Sequence, residues 1–128
     1  MTPIRMSKIE SAMRIVLVYQ EAFNRHDSTA LTQLIHDDCK IESWHPAPDG
    51  SVHSGKEAIT KYWQNLFSTL AEVRIEIEEI FGMGDRCVMR CKYHWLDEAE
   101  NEMYLRAVDI FKVRDELICE KFSYVKGD

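Results

Sequence analysis

The sequence has little glycine or proline, with five and three residues respectively among 128. Collagen-like repeats, mucin stalks and flexible linkers are excluded, because each needs far more of these residues. Long hydrophobic runs are missing too. The longest strongly apolar run covers residues 15–19, whereas a membrane span needs roughly 20 such residues. The chain is therefore not expected to cross a membrane.

Positive charge is also limited, since 16 Lys and Arg residues face 22 Asp and Glu residues and the formal net charge is −6. Nucleic acids and anionic lipids bind cationic surfaces, so the sequence predicts neither as a partner. The first residues lack the pattern of a secretory signal peptide, which is a charged stretch, an apolar segment and a small-residue cleavage site. The sequence therefore predicts a cytoplasmic protein. An apolar share of 45% and a charged share of 30% fit one globular domain over residues 1–128.

The four cysteines do not have the spacing of a metal site. Cys87 and Cys91 fall in a predicted strand, where four residues span about 13 Å, too far for both to bind one metal ion. Together with Cys39 and Cys119 they are expected to be packed, reduced thiols. The HExxH, glycine-rich phosphate-loop and nucleophile-elbow motifs are missing. The sequence therefore predicts no metal, no cofactor, and neither nucleotide nor protease chemistry.

Helical periodicity dominates the first half of the chain. A first helix is predicted over residues 7–25, with one apolar stripe. Asp27 or Ser28 is expected to cap a short second helix that runs through Ile35. Residues 54–57 (SGKE) match a capping box, in which Ser54 and Glu57 satisfy each other's backbone donors. They predict the start of a third helix, whose continuous apolar face extends to residue 70.

From residue 73 the period changes to two, which indicates strands. Strands are predicted from residue 73 to a turn at 82–85, then over 87–95, 103–113 and 117–125, with a shorter one over 39–44 before the third helix. Helices followed by a meander of long antiparallel strands predict an α+β fold. The three helices would cover one face of a curved, cone-shaped sheet and enclose a pocket.

Two acidic residues fall where alternation predicts the buried face of a strand. Asp109 shares its face with Leu105, Ala107, Phe111 and Val113. A carboxyl group there must be hydrogen-bonded or neutral, because an unpaired buried charge costs several kcal/mol, and a neutral acid can donate a hydrogen bond. The alternative is that Asp109 lies at a strand end or binds a loop. In the last strand, alternation places Glu120 inward with its neighbours Ile118, Phe122 and Tyr124.

Other polar groups are also candidates for a pocket. Tyr19 lies centrally on the stripe of the first helix, where it either packs in the core or points its hydroxyl into a pocket. Trp63 has the same two interpretations on the third helix. Ser43 lies on the buried side of its strand, and His45 follows just beyond it.

Four motifs occur in an order that resembles the nuclear transport factor 2-like superfamily, which includes ketosteroid isomerases and SnoaL-like polyketide cyclases. They are residues 19–27 (YQEAFNRHD), 34–38 (LIHDD), 54–59 (SGKEAI) and 108–111 (VDIF). The resemblance covers nearly the whole chain and implies the cone fold. It does not imply one activity, because this fold carries isomerases, cyclases, dehydratases, epoxide hydrolases and non-enzymatic binding domains.

Carried over by position, the resemblance implies that Tyr19 is the oxyanion-hole tyrosine and Asp109 the protonated aspartic acid of the isomerases, or the acid/base of the cyclases. Trp63 stands in place of a second, supporting tyrosine. Ser43 departs from the pattern, because it stands where the isomerases have their proton-shuttling aspartate. A serine does not take a carbon-bound proton without an activating base, so Glu120 and His45 are the candidate bases.

The resulting hypothesis is a cofactor-free isomerase, cyclase or dehydratase that moves a proton beside the carbonyl of a small hydrophobic molecule. Tyr19 and Asp109 would donate to the developing oxyanion. A binding or interaction module without chemistry is the alternative, and a third possibility is that Asp109 only bonds Tyr19 to stabilise the core. The residues expected to line the pocket are Tyr19, Trp63, Met89, Tyr93, Asp109, Phe111, Phe122 and Tyr124.

The resemblance also implies a homodimer formed through the outer face of the sheet. The outward residues available for such an interface are Val88, Tyr104, Val108 and Ile110.

Overall fold

The computed structural model describes residues 8–46 and 48–127. Its elements are α1 Lys8–Asn24, α2 Ser28–Thr32, β1 Ile35–Glu42, β2 Val52–Ser54, α3 Lys56–Thr69, β3 Ala71–Met83, β4 Arg86–Leu96, β5 Glu102–Arg114 and β6 Leu117–Val125. The predicted start of the first helix at Ser7 lies outside the described residues. None of the helices in this part of the chain is long and apolar enough to span a lipid bilayer.

The six strands form one curved, unclosed sheet in the order β2-β1-β6-β5-β4-β3. Neighbouring strands are antiparallel except β1 and β6, which run parallel. The core lies between the inner face of this sheet and the helices, where the apolar stripe of α1 meets Ile59 and Trp63 of α3. The predicted α+β class is confirmed, with one parallel pair in a sheet predicted to be antiparallel.

Polar side chains fix the end of α1 against the sheet. Asn24 donates from Nδ2 to the Ile75 carbonyl at 2.9 Å and accepts from the Ile75 amide at 2.7 Å. His26 adopts a left-handed backbone conformation with φ of 55°, which ends the helix as C-terminal caps commonly do. Its ring is 2.6 Å from the Val73 carbonyl. These contacts set the position of α1, and hence of Tyr19, relative to the sheet.

The helix boundaries correct two sequence predictions. Asp27 is the cap of α2 and accepts from Ala30 N at 3.0 Å, but the helix ends at Thr32 and Ile35 opens β1 instead of continuing it. Strand pairing with β6 overrides the helical pattern at this point. The capping box at α3 does not form, because Ser54 belongs to β2 and Gly55 is the N-cap with no side-chain hydrogen bond.

A β-bulge in β6 reverses which of its residues face the core. Lys112 pairs with Glu120, whereas the next residue of β5, Val113, pairs with Ile118, so Cys119 is the extra residue. A bulge of this kind shifts the alternation of side chains by one position. Lys121 and Ser123 are consequently buried at 4% and 6% exposure.

The opposite face of β6 carries the residues that strict alternation predicted to point inward. Glu120 is paired with Arg86 Nη1 at 2.9 Å, and Tyr124 is 54% exposed. The prediction that Glu120, Phe122 and Tyr124 line the inner face was therefore wrong. The physical reason is the one extra residue in the ladder.

Candidate functional site

Asp109 lies at the centre of the inner face, as the alternation of β5 predicted. Its side chain is fully buried, and it is paired with Met89 on one side and Ser123 on the other. The position is in mid-strand, which excludes the alternative that Asp109 lies at a strand end. A buried carboxyl group in such a place needs specific partners.

Those partners are a tyrosine and a lysine that come from the two flanking strands. Asp109 Oδ2 accepts a hydrogen bond from the Tyr93 hydroxyl and lies 3.7 Å from Lys121 Nζ. Lys121 in turn donates to Ser123 Oγ at 3.0 Å. We call Tyr93, Asp109, Lys121 and Ser123 the Asp109 cluster. It contains a buried ion pair, in which the Lys121 cation offsets a carboxylate charge at Oδ2.

Tyr19 is buried beside this cluster but does not bond to Asp109. Its ring packs against Trp63 and Phe111, with centroid distances of 6.1 and 5.4 Å. Within the described residues, the Tyr19 hydroxyl and Asp109 Oδ1 are buried without a hydrogen-bond partner. The idea that Asp109 serves only to bond Tyr19 is therefore wrong, since the phenol that binds Asp109 belongs to Tyr93. Two polar atoms of the described core therefore lack the hydrogen-bond partner that buried polar groups usually have.

Burial and the Asp109 charge keep Tyr19 and Tyr93 protonated. Burial raises the pKa of Tyr19 well above its usual value, and the negative charge of Asp109 raises that pKa further. The pKa of Tyr93 is raised in the same way, first by burial and then by Asp109. Both hydroxyl groups therefore remain hydrogen-bond donors at neutral pH.

Most of the apolar residues predicted to line a pocket are packed in the hydrophobic core. Tyr19, Trp63, Met89 and Phe111 are each at most 1% exposed. The predicted placement of Tyr19 and Trp63 on buried helix faces is confirmed. Two pockets lie next to the cluster. Tyr124, one of the predicted lining residues, borders the smaller pocket, and other residues form most of both walls.

A pocket of about 580 Å³ opens between α3, the loop after β1 and the end of β4. We call it the aromatic pocket, because rings make up much of its wall. Trp44 stacks on Trp95 with centroids 6.1 Å apart, and His53 stacks on Tyr62 at 4.4 Å. The remaining wall includes His45, which is itself exposed to solvent. This surface suits a flat apolar molecule with few polar groups.

Tyr62 connects the aromatic pocket to the Asp109 cluster. Its ring borders the pocket, and burial raises the pKa of its hydroxyl, an effect opposed by the nearby Lys121 charge and reinforced by Tyr19 and Asp109. Trp44 makes a second connection, since its ring centroid is 6.3 Å from that of Tyr93. The wall of the aromatic pocket thus adjoins the Asp109 cluster through Trp44, whose neighbour Tyr93 belongs to the cluster.

Ser43 is held by the loop between β1 and β2. Its Oγ donates to the His45 carbonyl at 2.8 Å and shares a hydrogen bond of 2.8 Å with Ser51 Oγ. Gly50, with φ of 75°, closes this loop so tightly that a Cβ atom there would lie 1.7 Å from the Ser43 carbonyl oxygen. Ser43 and Ser123 both border a smaller pocket of about 150 Å³. The Ser43 hydroxyl is therefore fixed by structural bonds.

The four cysteines are free and buried, as predicted for packed thiols. Burial raises the pKa of Cys39 to about 12 and that of Cys87 to about 11. A protonated, enclosed thiol is a poor nucleophile and a poor metal ligand. The cysteines therefore contribute packing to the core.

Sequence reasoning missed Lys121, Ser123 and the aromatic pocket. The alternation of the last strand placed Lys121 and Ser123 on the outer face, and only the bulge brings them inward. The sequence does contain a signal of the bulge. Residues 117–119 are all apolar, so both sides of the strand are apolar there, which is incompatible with strict alternation. The pocket joins residues of α3, β2 and β4 to a loop after β1, and no periodicity predicts that these segments meet.

Comparison with known proteins identifies the family. The SnoaL-like domain matches residues 16–121. An NTF2-like protein of unknown function from Mesorhizobium loti is 34% identical, covers 99% of this chain and 100% of that chain, and has a TM-score of 0.78. A search of curated proteins finds no match.

Two further solved structures share the fold at lower identity. A Mycobacterium tuberculosis protein in complex with estradiol-17β-hemisuccinate is 21% identical, covers 89% of this chain and 92% of that chain, and has a TM-score of 0.77. An LEH-like epoxide hydrolase from the same organism is 15% identical, covers 95% of this chain and 83% of that chain, and has a TM-score of 0.82. The resemblance first seen in four sequence motifs is confirmed, and the chain belongs to the SnoaL-like domain family.

Proposed function

We propose that this SnoaL-like protein is a cofactor-independent enzyme that moves a proton beside the carbonyl group of a small hydrophobic molecule. The observation that carries the proposal is the pair of buried, unpaired polar atoms, the Tyr19 hydroxyl and Asp109 Oδ1, next to a buried ion pair. Such a combination of donor and acceptor is costly to leave unpaired in a core. A substrate that uses both groups removes that cost.

Asp109 acts in this proposal as the carboxylate base rather than as a neutral donor. Lys121 and Tyr93 both engage Oδ2, which leaves Oδ1 to accept a proton from carbon. Tyr19, whose raised pKa keeps it protonated, donates to the carbonyl oxygen as negative charge develops there. Proton transfer moves one negative charge from Asp109 to the substrate, so the charge remains beside the Lys121 ammonium throughout.

Neither base suggested by the sequence takes this role. Glu120 lies on the outer face in an ion pair with Arg86, and His45 is an exposed residue of the aromatic pocket. Asp109 replaces both because its free oxygen is buried in the same core as the hydroxyl of Tyr19, the oxyanion donor. The substrate enters through the aromatic pocket, and a steroid ester in complex with the M. tuberculosis protein of the same fold supports a ligand of this size and polarity.

Solvent deuterium exchange tests the proposal directly. The full chain is incubated in D₂O with a panel of enolisable aryl and steroid ketones, and NMR measures deuterium uptake at the α-carbon. Asp109→Asn should slow the exchange by about 10²–10⁴-fold, the usual contribution of a general base. Tyr19→Phe should slow it by about 10²–10³-fold and should fold normally, because it removes only an unpaired hydroxyl.

Glu120→Gln is the matched control, since it removes a carboxylate from the other face of the same sheet. Its exchange rate should equal that of the wild type. Wild-type exchange rates in folded Asp109→Asn and Tyr19→Phe proteins would exclude the mechanism.

A binding module without chemistry is the second candidate, favoured by one observation. Ser43 stands where the isomerases have a proton-shuttling carboxylate, and its hydroxyl is occupied by Ser51 and the His45 carbonyl. Titration of the ketone panel, followed by fluorescence of Trp44 and Trp95, would then show saturable binding. The absence of deuterium exchange under saturation would favour this candidate.

We also propose a homodimer through the outer sheet face, as the family resemblance implies. On this face Tyr104 is 61% exposed, and Val88, Val108 and Ile110 are partly exposed. Sedimentation equilibrium at micromolar concentration should give the mass of two chains. A particle with the mass of one chain would contradict the proposal.

A further inference from the structure

The proposed proton transfer uses Lys121 only as a cation beside Asp109. Among the buried polar and charged residues of the described chain, it is the single amine, at 4% exposure. The bulge in β6 turns it inward, where it lies 3.7 Å from Asp109. The Tyr93 hydroxyl donates to that same carboxylate, and the Tyr93 ring lies 6.3 Å from Trp44 of the aromatic pocket. A buried amine next to a pocket for apolar molecules has a chemical use beyond holding one carboxylate.

We infer that Lys121 is a nucleophile that captures aldehydes and ketones bound from the aromatic pocket as an imine. The inference rests on the proposed function, because it concerns the same carbonyl substrate and the same Asp109. It goes further by assigning a covalent intermediate and by restricting the substrates to carbonyl compounds whose carbon an amine can reach. Lysine amines are used in this way when a neighbouring group takes their proton.

The geometry provides such a group. Lys121 Nζ lies 3.7 Å from Asp109 Oδ2, which is too long for a hydrogen bond but short enough for a proton to pass with a small side-chain movement. One hydrogen bond of Nζ, to Ser123 Oγ at 3.0 Å, is formed within the described residues. Passing the proton to Asp109 leaves a neutral amine and a neutral acid, so no unpaired charge is created in the core.

The reaction balances with groups already present in the cluster. The lone pair of the Lys121 amine forms a bond to the carbonyl carbon, and the C=O π electrons move to oxygen. The proton held by Asp109 and one proton from nitrogen transfer to that oxygen, which leaves as water while the C=N bond forms. The proton that Asp109 took from Lys121 thus ends in the product water, and the Asp109 carboxylate is regenerated. That carboxylate can then remove the α-proton of the resulting iminium to give an enamine.

Reductive trapping tests the inference. The full chain is incubated with 6-methoxy-2-naphthaldehyde and sodium cyanoborohydride, and the modified lysine is found by intact mass and peptide mapping. We expect one label per chain, on Lys121. Lys121→Arg keeps a cation beside Asp109 but cannot form the imine, so its label should be lost. Lys61→Arg is the matched control, since Lys61 is exposed and paired with Glu57 at 3.5 Å, and it should leave the label in place.

The outcomes separate this inference from the proposed function. Label confined to exposed lysines, in protein that still exchanges α-protons, would overturn the imine and leave the proton transfer standing. Label on Lys121 without any α-proton exchange would support the imine and overturn the proposed proton transfer. If Lys121 carries no label and no α-proton exchange occurs, both the imine and the proton transfer are overturned.

Discussion

The buried ion pair between Asp109 and Lys121 predicts a large and strongly non-additive effect on stability. Replacing Lys121 with Met leaves a fully buried carboxylate with Tyr93 as its one remaining partner in the cluster. Breaking a buried pair from one side costs about 3–5 kcal/mol. The free energy of unfolding of a domain this size is about 5–15 kcal/mol, so this variant should lose a large part of it. Asp109→Asn should cost a similar amount, because it leaves the ammonium unpaired.

The double variant should behave quite differently from the sum of the two. Removing both charges together leaves a neutral pair, and such replacements are often neutral or stabilising by about 1–4 kcal/mol. Urea unfolding followed by circular dichroism gives the three differences in unfolding free energy. We expect the double variant to be within about 2 kcal/mol of the wild type.

The ion pair between Arg86 and Glu120 is the control for this cycle. Its atoms are only 2.9 Å apart, but its side chains are 40% and 29% exposed, so solvent screening limits its contribution to about 1 kcal/mol or less. The reasoning would be refuted if Lys121→Met and Asp109→Asn each cost no more than Glu120→Gln and their effects simply added. The pair would then be solvated in solution, and neither proposal would have its electrostatic basis.

Three other predictions concern alkaline stability, capping and the pocket loop. Burial raises the pKa of Cys39 to about 12 from 9.0, so the unfolded chain loses this proton first, and the urea midpoint should fall as pH rises above 9. A midpoint constant to pH 11 would contradict this. Asp27→Ala should cost about 1 kcal/mol in urea unfolding because its carboxylate caps α2, whereas an equal cost for Ser54→Ala, which caps nothing, would be inconsistent with the structure. Gly50→Ala places a Cβ 1.7 Å from a carbonyl oxygen and should weaken ketone binding in the aromatic pocket, as measured by tryptophan fluorescence. Gly84→Ala, with open space around it, should bind normally.

Periodicity predicted those parts of the protein in which each residue's face follows from its neighbours. The buried stripe of α1 with Tyr19, and the inward position of Asp109 on β5, follow directly from repeats of 3.6 and 2. The fold class followed from the order of these elements. These features depend on local backbone geometry, which the sequence of one segment determines.

The partners of Asp109 were not predictable in the same way. Tyr19 and Tyr93 both point inward, but the bond to the carboxylate comes from Tyr93, on the strand that pairs with β5. Ser54 matches a capping pattern, but pairing of β2 with β1 takes its backbone into a strand. Lys121 points inward because of one extra residue in β6. Each of these outcomes depends on contacts between segments that are distant in sequence.

The bulge at Cys119 also affects the register in which β6 pairs with β5. If the strand slipped by one residue and straightened, Glu120 would point inward toward Asp109 and Lys121 would turn to solvent. Two carboxylates would then share an enclosed space with no cation, which is strongly unfavourable. The opposite charges of Glu120 and Lys121 therefore destabilise a β6 strand without the bulge. Electrostatics as well as packing maintain the bulged pairing.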